Sequence, residues 1–379
     1  MSELFMKHGG TAVVCGNHIN AHTLVRSLMG LGWTGRLVLL RHIGEPKGLA
    51  GCLNPNVEQY AADIQTPEEL PSLLESRYGG DGDIYVFFTD ERYHPAFAKW
   101  KLQHPNSPIR VHLGSLEHMT TILDRYEFCR FIEKRGLASV PHTIAGEADP
   151  FGILGDSFIV RPRLSWFGVL QRERVKLVRS RSEYEAALIS YASRGLQSQD
   201  LSYQELLSIR NEDNVSICGW YCNDFQHIYC TRKLLQYPPS TGGGDLIERL
   251  SPPDQILHQA REILRSLEYD GPFELEFMFD THSSSYKVTE LNPRYWLQHG
   301  LIDAISGCAI SRSYLGLQPV PINKDMQKLQ YWVNPLYSFY RGFQLDFRSV
   351  RYWCSQQCLP ALSLKEAMKY ASALLLSSR

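Results

Sequence analysis

Residues 271–300 read GPFELEFMFDTHSSSYKVTELNPRYWLQHG, from Gly271 to Gly300. Phe273, Leu275, Phe277 and Phe279 alternate with Glu274, Glu276 and Met278, the period of a strand with one face on a core and the other on a cleft. The polar THSSS turns the chain, and Tyr286 to Leu291 returns as a second strand. Period two puts Glu290 and Asn292 on one face, and an antiparallel hairpin can bring Glu276 beside them. Two carboxylates and an amide oxygen so placed repel one another unless something positive lies between them. A hard divalent cation, Mg²⁺ held jointly with substrate phosphates, suits that donor set. The competing reading leaves Glu276 and Glu290 on the solvated face of an ordinary hairpin, where most strand glutamates are found. Arg294 shifts the balance, because Glu-x-Asn-Pro-Arg sets two oxygen ligands and a guanidinium within one turn of chain, suited to a metal–phosphate complex and an anionic transition state.

Upstream, the chain alternates apolar runs with helical spacing. Thr11 to Gly16 (TAVVCG) is a short strand ending in glycine, and NHINAHTLVRSLMGLGW after it has its apolar residues at helical intervals. Further apolar runs follow at Arg36 to Leu40, in IYVFFTD ending at Asp90, and at Ile109 to Leu113. Strands alternating with helices imply a parallel sheet with crossover helices over residues 9–115. The first turn, CGNHINAH, carries no G-x-G-x-x-G, so this sheet is a weak dinucleotide site and reads as support for a substrate pocket. Residues 121–142 read as one helix with Ile122, Phe128 and Phe131 or Ile132 on its apolar face, ended by Gly136 and Pro141. Ser157 to Val160 reads as a strand running into Arg161-Pro162-Arg163, and a basic residue closing a strand before SWFG is either a phosphate contact or a surface arginine.

Composition narrows the classes. The chain has 379 residues, 44% of them hydrophobic, enough for two or three modules around a sizeable core. Thirty-nine Lys and Arg against forty Asp and Glu leave a net charge of −1, so no global field holds a polyanion and nucleic acid is not an expected partner. No apolar run approaches roughly eighteen residues, and MSELFMKHGG lacks a signal-peptide stretch, so a soluble cytoplasmic protein with no membrane partner is expected. The nine cysteines do not form a disulfide framework, and Cys218/Cys222 and Cys354/Cys358 lack the histidines that would complete a zinc site.

GPFELEF…KVTELNPRYW resembles the metal-binding core of the ATP-grasp superfamily of carboxylate–amine ligases. LDRYEFCRFIEKRGLASVPH (Leu123–His142) resembles the helix opening the family's central region, FIVRPR (Phe158–Arg163) its phosphate-contacting strand, and YQELL (Tyr203–Leu207) the hinge that holds adenine. TRKLLQYPPSTGGG (Thr231–Gly244) resembles a basic stretch in a poorly characterised branch of ATP-dependent ligases. The five pieces keep the family's order over roughly residues 115–315. The resemblance implies an α/β chain with α+β elements: an N-terminal parallel-sheet (pre-ATP-grasp) domain over 1–115, an ATP-grasp nucleotide-binding and catalytic domain over 116–320, and an appendage over 321–379. It further implies Glu276, Glu290 and Asn292 as Mg²⁺ ligands and Arg294 as the residue facing the reacting phosphoryl group. Arg125, Arg161 and Lys233 would contact the nucleotide phosphates, Glu205 with the backbone of Leu206 and Leu207 would hold adenine, and Glu212 would bind ribose.

Two features depart from the family's pattern. Arginines stand at 125 and 161 where lysines are usual, replacing a compact ammonium by a planar fork. The expected glycine-rich loop is represented by Leu164-Ser165-Trp166-Phe167-Gly168, and Gly242-Gly243-Gly244 is either a second mobile element or a turn. The resemblance implies an ATP- and Mg²⁺-dependent ligase forming an amide through an acyl phosphate, with small-molecule carboxylate and amine substrates of amino-acid or peptide type. The alternatives are an ATP-binding regulatory or scaffold protein with weak turnover, or a kinase or carboxylating enzyme of the same fold. Tyr295, Trp296, Gln298 and His299 follow the metal strand and are read as lining the acceptor pocket, His299 being either a base or a hydrogen-bonded structural residue. The aromatic-rich segment beyond about residue 320 reads as packing on the catalytic domain, with a homodimer interface as its other use.

Overall fold

The computed structural model describes residues 9–43, 48–62, 67–147, 149–164, 175–207, 210–222, 225–237, 243–320, 322, 324–338, 346–353 and 355–377. Three sheets organise them. The first is parallel, in the order β3-β2-β1-β4-β5, with β1 Thr11–Cys15, β2 Arg36–His42, β3 Glu58–Ala62, β4 Ile84–Phe88 and β5 Ile109–Arg110. Its fully buried β1 (TAVVC) is the continuous apolar run that a sheet covered on both faces demands. The edge strand β3, EQYAA, does not stand out as an apolar run, since all its residues but Ala62 are only partly buried. The run at Arg36–Leu40 extends to His42, while two others are shortened: the one ending at Asp90 stops pairing at Phe88, and the one reaching Leu113 stops at Arg110.

The stretch read as one helix over 121–142 is two helices and a strand. Met119–Leu123 ends, Asp124 turns extended, and Arg125–Glu133 begins under an Asp124 side chain that accepts from the amides of Tyr126 and Glu127. Such a cap is worth about 1 kcal/mol and beats continuation of the apolar stripe. His142 then opens β6, His142–Ile144.

The second sheet is antiparallel, in the order β6-β9-β7-β8, with β7 Phe158–Pro162, β8 Lys176–Val178 and β9 Leu201–Glu205. The third has the order β14-β13-β10-β11-β12-β15-β16. Its strands are β10 Asn214–Cys222, β11 Phe225–Tyr237, β12 Gly243–Leu250, β13 Gly271–Asp280, β14 Ser285–Asn292, β15 Tyr331–Val333 and β16 Cys358–Pro360. Helix Asp254–Ser266 packs its Ile256, Ala260, Ile263 and Leu264 into the same core as Leu275, Phe277 and Val288. The segment beyond residue 320 supplies β15 and β16, which extend this sheet beyond β12, and Trp332 and Ala367 join a core that also holds β1 and helix Ile19–Gly30.

The hairpin β13–β14 pairs Glu276 with Glu290 and Glu274 with Asn292, with a bulge that leaves Thr289 unpaired between Glu290 and Val288. The extra residue lets Val288 and Leu291, three apart, both reach the core while Glu276 and Glu290 stay on the cleft side. Bulges recur beside functional sites because they re-aim side chains in this way.

Candidate active site

A cavity of about 350 Å³ lies between the second and third sheets. Its apolar lining comes largely from the smaller sheet and the loop after it, through Ile159, Leu177, Leu206 and Leu207. Its charged lining comes from both sheets, with Arg161 and Glu205 on the smaller one and Lys233, Glu274, Glu276 and Glu290 on the larger, and from the helix start at Arg125. Of the residues singled out in the sequence, Arg125, Arg161, Glu205, Leu206, Leu207, Lys233, Glu276, Glu290, Asn292 and Arg294 all line it. Glu212 does not: it sits exposed in the 3₁₀ turn Asn211–Asp213.

The carboxylates are held by cations rather than by one another. Glu290 Oε2 accepts from Arg125 Nε at 2.8 Å and pairs with Arg161 Nη2 at 2.9 Å. Burial alone would raise the Glu290 carboxyl, but the Arg161 and Arg125 guanidiniums outweigh it and hold the group well below the usual carboxylate range. Glu276 Oε2 accepts from Lys233 Nζ at 2.8 Å, and this partner keeps the Lys233 ammonium charged in spite of its burial. Arg125 is anchored a second time, its Nη1 donating to the Pro162 carbonyl at 3.1 Å.

Arg294 is fixed by residues far apart in sequence. Its Nε donates to Glu91 Oε1 at 2.8 Å and its Nη2 to Asn292 Oδ1 at 3.1 Å. Glu91 lies just beyond β4, and the same turn receives the Arg294 loop by a Tyr295 amide donating to the Phe88 carbonyl and by His94 Nε2 at 2.8 Å from the Pro293 carbonyl. Sequence reading missed Glu91, since nothing local ties it to a residue more than two hundred positions away. It also passed over Glu274 as a site residue, although the strand period puts Glu274 on the cleft face. Glu274 is buried against Gln298 Nε2 at 2.9 Å, and burial together with the nearby Glu276 pushes its carboxyl up to about 7.

Gln298 lines the cavity, but Tyr295, Trp296 and His299, expected to line an acceptor pocket, are fully buried and outside its wall. His299 Nδ1 lies 2.8 Å from the Trp296 carbonyl, and burial lowers its ring to about 4, so it is a neutral residue of the core. Gly243 and Gly244 open β12, directly after the reversal from antiparallel β11, and line the cavity; Gly242 lies outside the described residues, as do Ser165, Trp166, Phe167 and Gly168. Cys218 and Cys222 form no disulfide among the described residues, and Cys354 is outside them.

Four cations, Arg125, Arg161, Lys233 and Arg294, thus meet four acids, Glu91, Glu274, Glu276 and Glu290. A bare triphosphate would unbalance this set, whereas a nucleotide carrying divalent ions would not. Among the described residues no three His, Cys, Asp or Glu side chains close on a metal position. Two carboxylates and one amide fit an ion that completes its shell with phosphate oxygens and water. Arg161 Nε and Asn214 Oδ1 are buried without a hydrogen-bond partner among the described residues, and both residues line the cavity. An orphan guanidinium N–H is the donor a phosphate oxygen would satisfy.

No family model matches the chain, and no curated protein matches it in sequence. Solved structures do match it. One is N5-carboxyaminoimidazole synthetase from Staphylococcus aureus complexed with ADP, at TM-score 0.62 and 16% identity over 84% of this chain and 80% of that one. Another is the biotin carboxylase domain of 2-oxoglutarate carboxylase from Hydrogenobacter thermophilus with MgADP, ADP and bicarbonate, at TM-score 0.60 and 14% identity over 84% and 72%. A third is L-amino acid ligase from Bacillus licheniformis, at TM-score 0.59 and 13% identity over 83% and 76%. With a parallel N-terminal sheet, and an antiparallel sheet facing a mixed, mostly antiparallel one across a charged cavity, this chain has the ATP-grasp fold.

Proposed function

We propose that the chain is an ATP- and Mg²⁺-dependent ligase that phosphorylates a carboxylate and passes the acyl group to an amine, on substrates of amino-acid or peptide type. The observation that carries this reading is the pairing of Glu276 with Glu290 on the cleft face, each closed by cations, beside an orphan Arg161 N–H. ADP in the Staphylococcus aureus neighbour, MgADP in the Hydrogenobacter thermophilus neighbour and the amino acid ligase activity of the third neighbour support it. The proposed organisation is 1–115, 116–320 and 321–379, the middle segment carrying the nucleotide.

In this reading the backbone at Glu205, Leu206 and Leu207 holds adenine against the apolar wall, and Arg125, Arg161 and Lys233 hold the phosphates. Glu212, exposed and outside the cavity wall, reaches ribose only if its turn moves inward. Glu276, Glu290 and Asn292 would hold Mg²⁺, which on binding neutralises charge on the phosphates. Phosphoryl transfer asks the protein for position and charge, not for a nucleophile. Arg294, immobilised by Glu91 and Asn292, presents a guanidinium whose orientation is set before substrate arrives. The amine's base is not His299, which is buried away from the cavity.

The test is ADP release from ATP and Mg²⁺ with pooled amino acids and small carboxylates, with hydroxylamine added to trap an acyl phosphate as hydroxamate. Stimulated release with hydroxamate, lost in Glu290→Gln, is the expected result. Nucleotide binding with no release under any pool sinks the ligase reading in favour of a regulatory ATP-binding protein. ADP release without hydroxamate favours a kinase.

A further inference from the structure

A second cavity, of about 210 Å³, lies away from the first, between helix Ile19–Gly30, helix His299–Ser306 and the strands β15 and β16. Asp303 lines it and is 3% exposed. Its Oδ2 accepts from the Ser27 hydroxyl at 2.6 Å, while no donor among the described residues reaches its Oδ1. A buried carboxylate with one hydroxyl for company is an anion that the fold leaves uncompensated. Burial accordingly pushes the Asp303 carboxyl up to about 7, with only Ser27 acting against it. Arg26 stands on the same wall, its side chain 53% exposed and only 3.8 Å from Glu366 at the nearest approach. The rest of the wall includes the apolar faces of Trp332, Leu359 and Pro360.

We infer that this cavity is a second small-molecule site that takes a free α-amino acid, its ammonium on Asp303 and its carboxylate on Arg26. The volume is several times the roughly 30 Å³ share of a water molecule, too large for a lone metal ion and suited to an amino acid. An isolated cation would satisfy Asp303 but not the apolar wall or Arg26, whereas a zwitterion uses both charges. The inference stands apart from the nucleotide cavity, although one helix joins the two places: its N-cap Gln298 lines the first cavity and Asp303, on its next turn, lines the second.

The test uses the full chain without nucleotide and the twenty common amino acids one at a time, with methylammonium as a half-ligand. Saturation-transfer NMR reads binding, and amide hydrogen exchange locates it. At least one amino acid is expected to bind and to protect helix Ile19–Gly30 and β16. Asp303→Asn, which keeps an acceptor for Ser27 and is checked by its thermal melt, weakens that binding about tenfold or more. Arg26→Gln weakens the amino acid but leaves methylammonium within about twofold. The inference is overturned by no binding at about 10 mM, by protection confined to β13 and β14, or by unchanged affinity in Asp303→Asn.

Discussion

Two buried carboxylates, Glu290 and Asp303, sit only a few helical and strand turns apart in sequence and titrate in opposite senses. Glu290 lies between two guanidiniums and stays ionised, while Asp303 has a single hydroxyl and is driven toward its neutral form. Desolvation is the largest influence on both. What separates them is whether the surrounding strands deliver compensating charge, so burial alone says little about the state of an acid.

The largest expected effect comes from removing charge where it is compensated. Glu290→Gln leaves Arg125 and Arg161 buried with no acid between them, which should cost about 3–5 kcal/mol in urea unfolding. ADP formation should fall by about a hundredfold or more. A stable Glu290→Gln protein with full turnover would erase the contrast on its compensated side.

Asp303→Asn should act in the other direction. The Asp303 carboxyl has a folded pKa of about 7, above its unfolded value, so its contribution is fully present below the unfolded pKa and is lost as pH rises to about 7. Replacing it should raise stability at pH 8 by about 2–4 kcal/mol and change little at pH 4. Glu290, with its folded pKa depressed, contributes above its unfolded pKa and loses that contribution as pH falls below about 4. Urea midpoints across pH 4 to 8 for the two variants should therefore diverge; parallel curves would break the comparison.

Smaller effects sharpen it. Glu91→Gln keeps a hydrogen-bond acceptor for Arg294 but removes the charge, and should lower kcat about tenfold with the nucleotide KM little changed. An effect on KM alone would mean that Glu91 does not position Arg294. Asp124→Ala removes the cap of helix Arg125–Glu133 and should lower stability by about 1 kcal/mol. A loss within error would show that the cap and the Arg163–Asp124 pair at 2.7 Å, both removed by the substitution, together contribute nothing net.

The hairpin was legible because alternation is local: Glu276, Glu290 and Asn292 declare their face by their neighbours' polarity. The parallel sheet was legible from the apolar runs of β1, β2 and β4, but not from EQYAA in β3, whose edge position asks for no apolar run. Glu91 could not be read, since its partner Arg294 is brought to it by packing of the β4 turn against the loop after β14. The bulge at Thr289 left a trace in the three-residue spacing of Val288 and Leu291, but a spacing of three has many causes. The break at Asp124 was open to reading as an N-cap and was masked by apolar residues on both sides that fit one continuous stripe.

The addition of β15 and β16 beyond β12 also sets an order of events during synthesis. While a ribosome is still making the segment after Leu250, the outer backbone of Leu246, Ile247 and Glu248 has no strand to meet, and it finds one only when Tyr331–Val333 emerges. Until then the nascent chain carries an unpaired sheet margin of the kind that other chains can seize, which makes the late arrival of the last two strands a matter of safe handling as well as of stability.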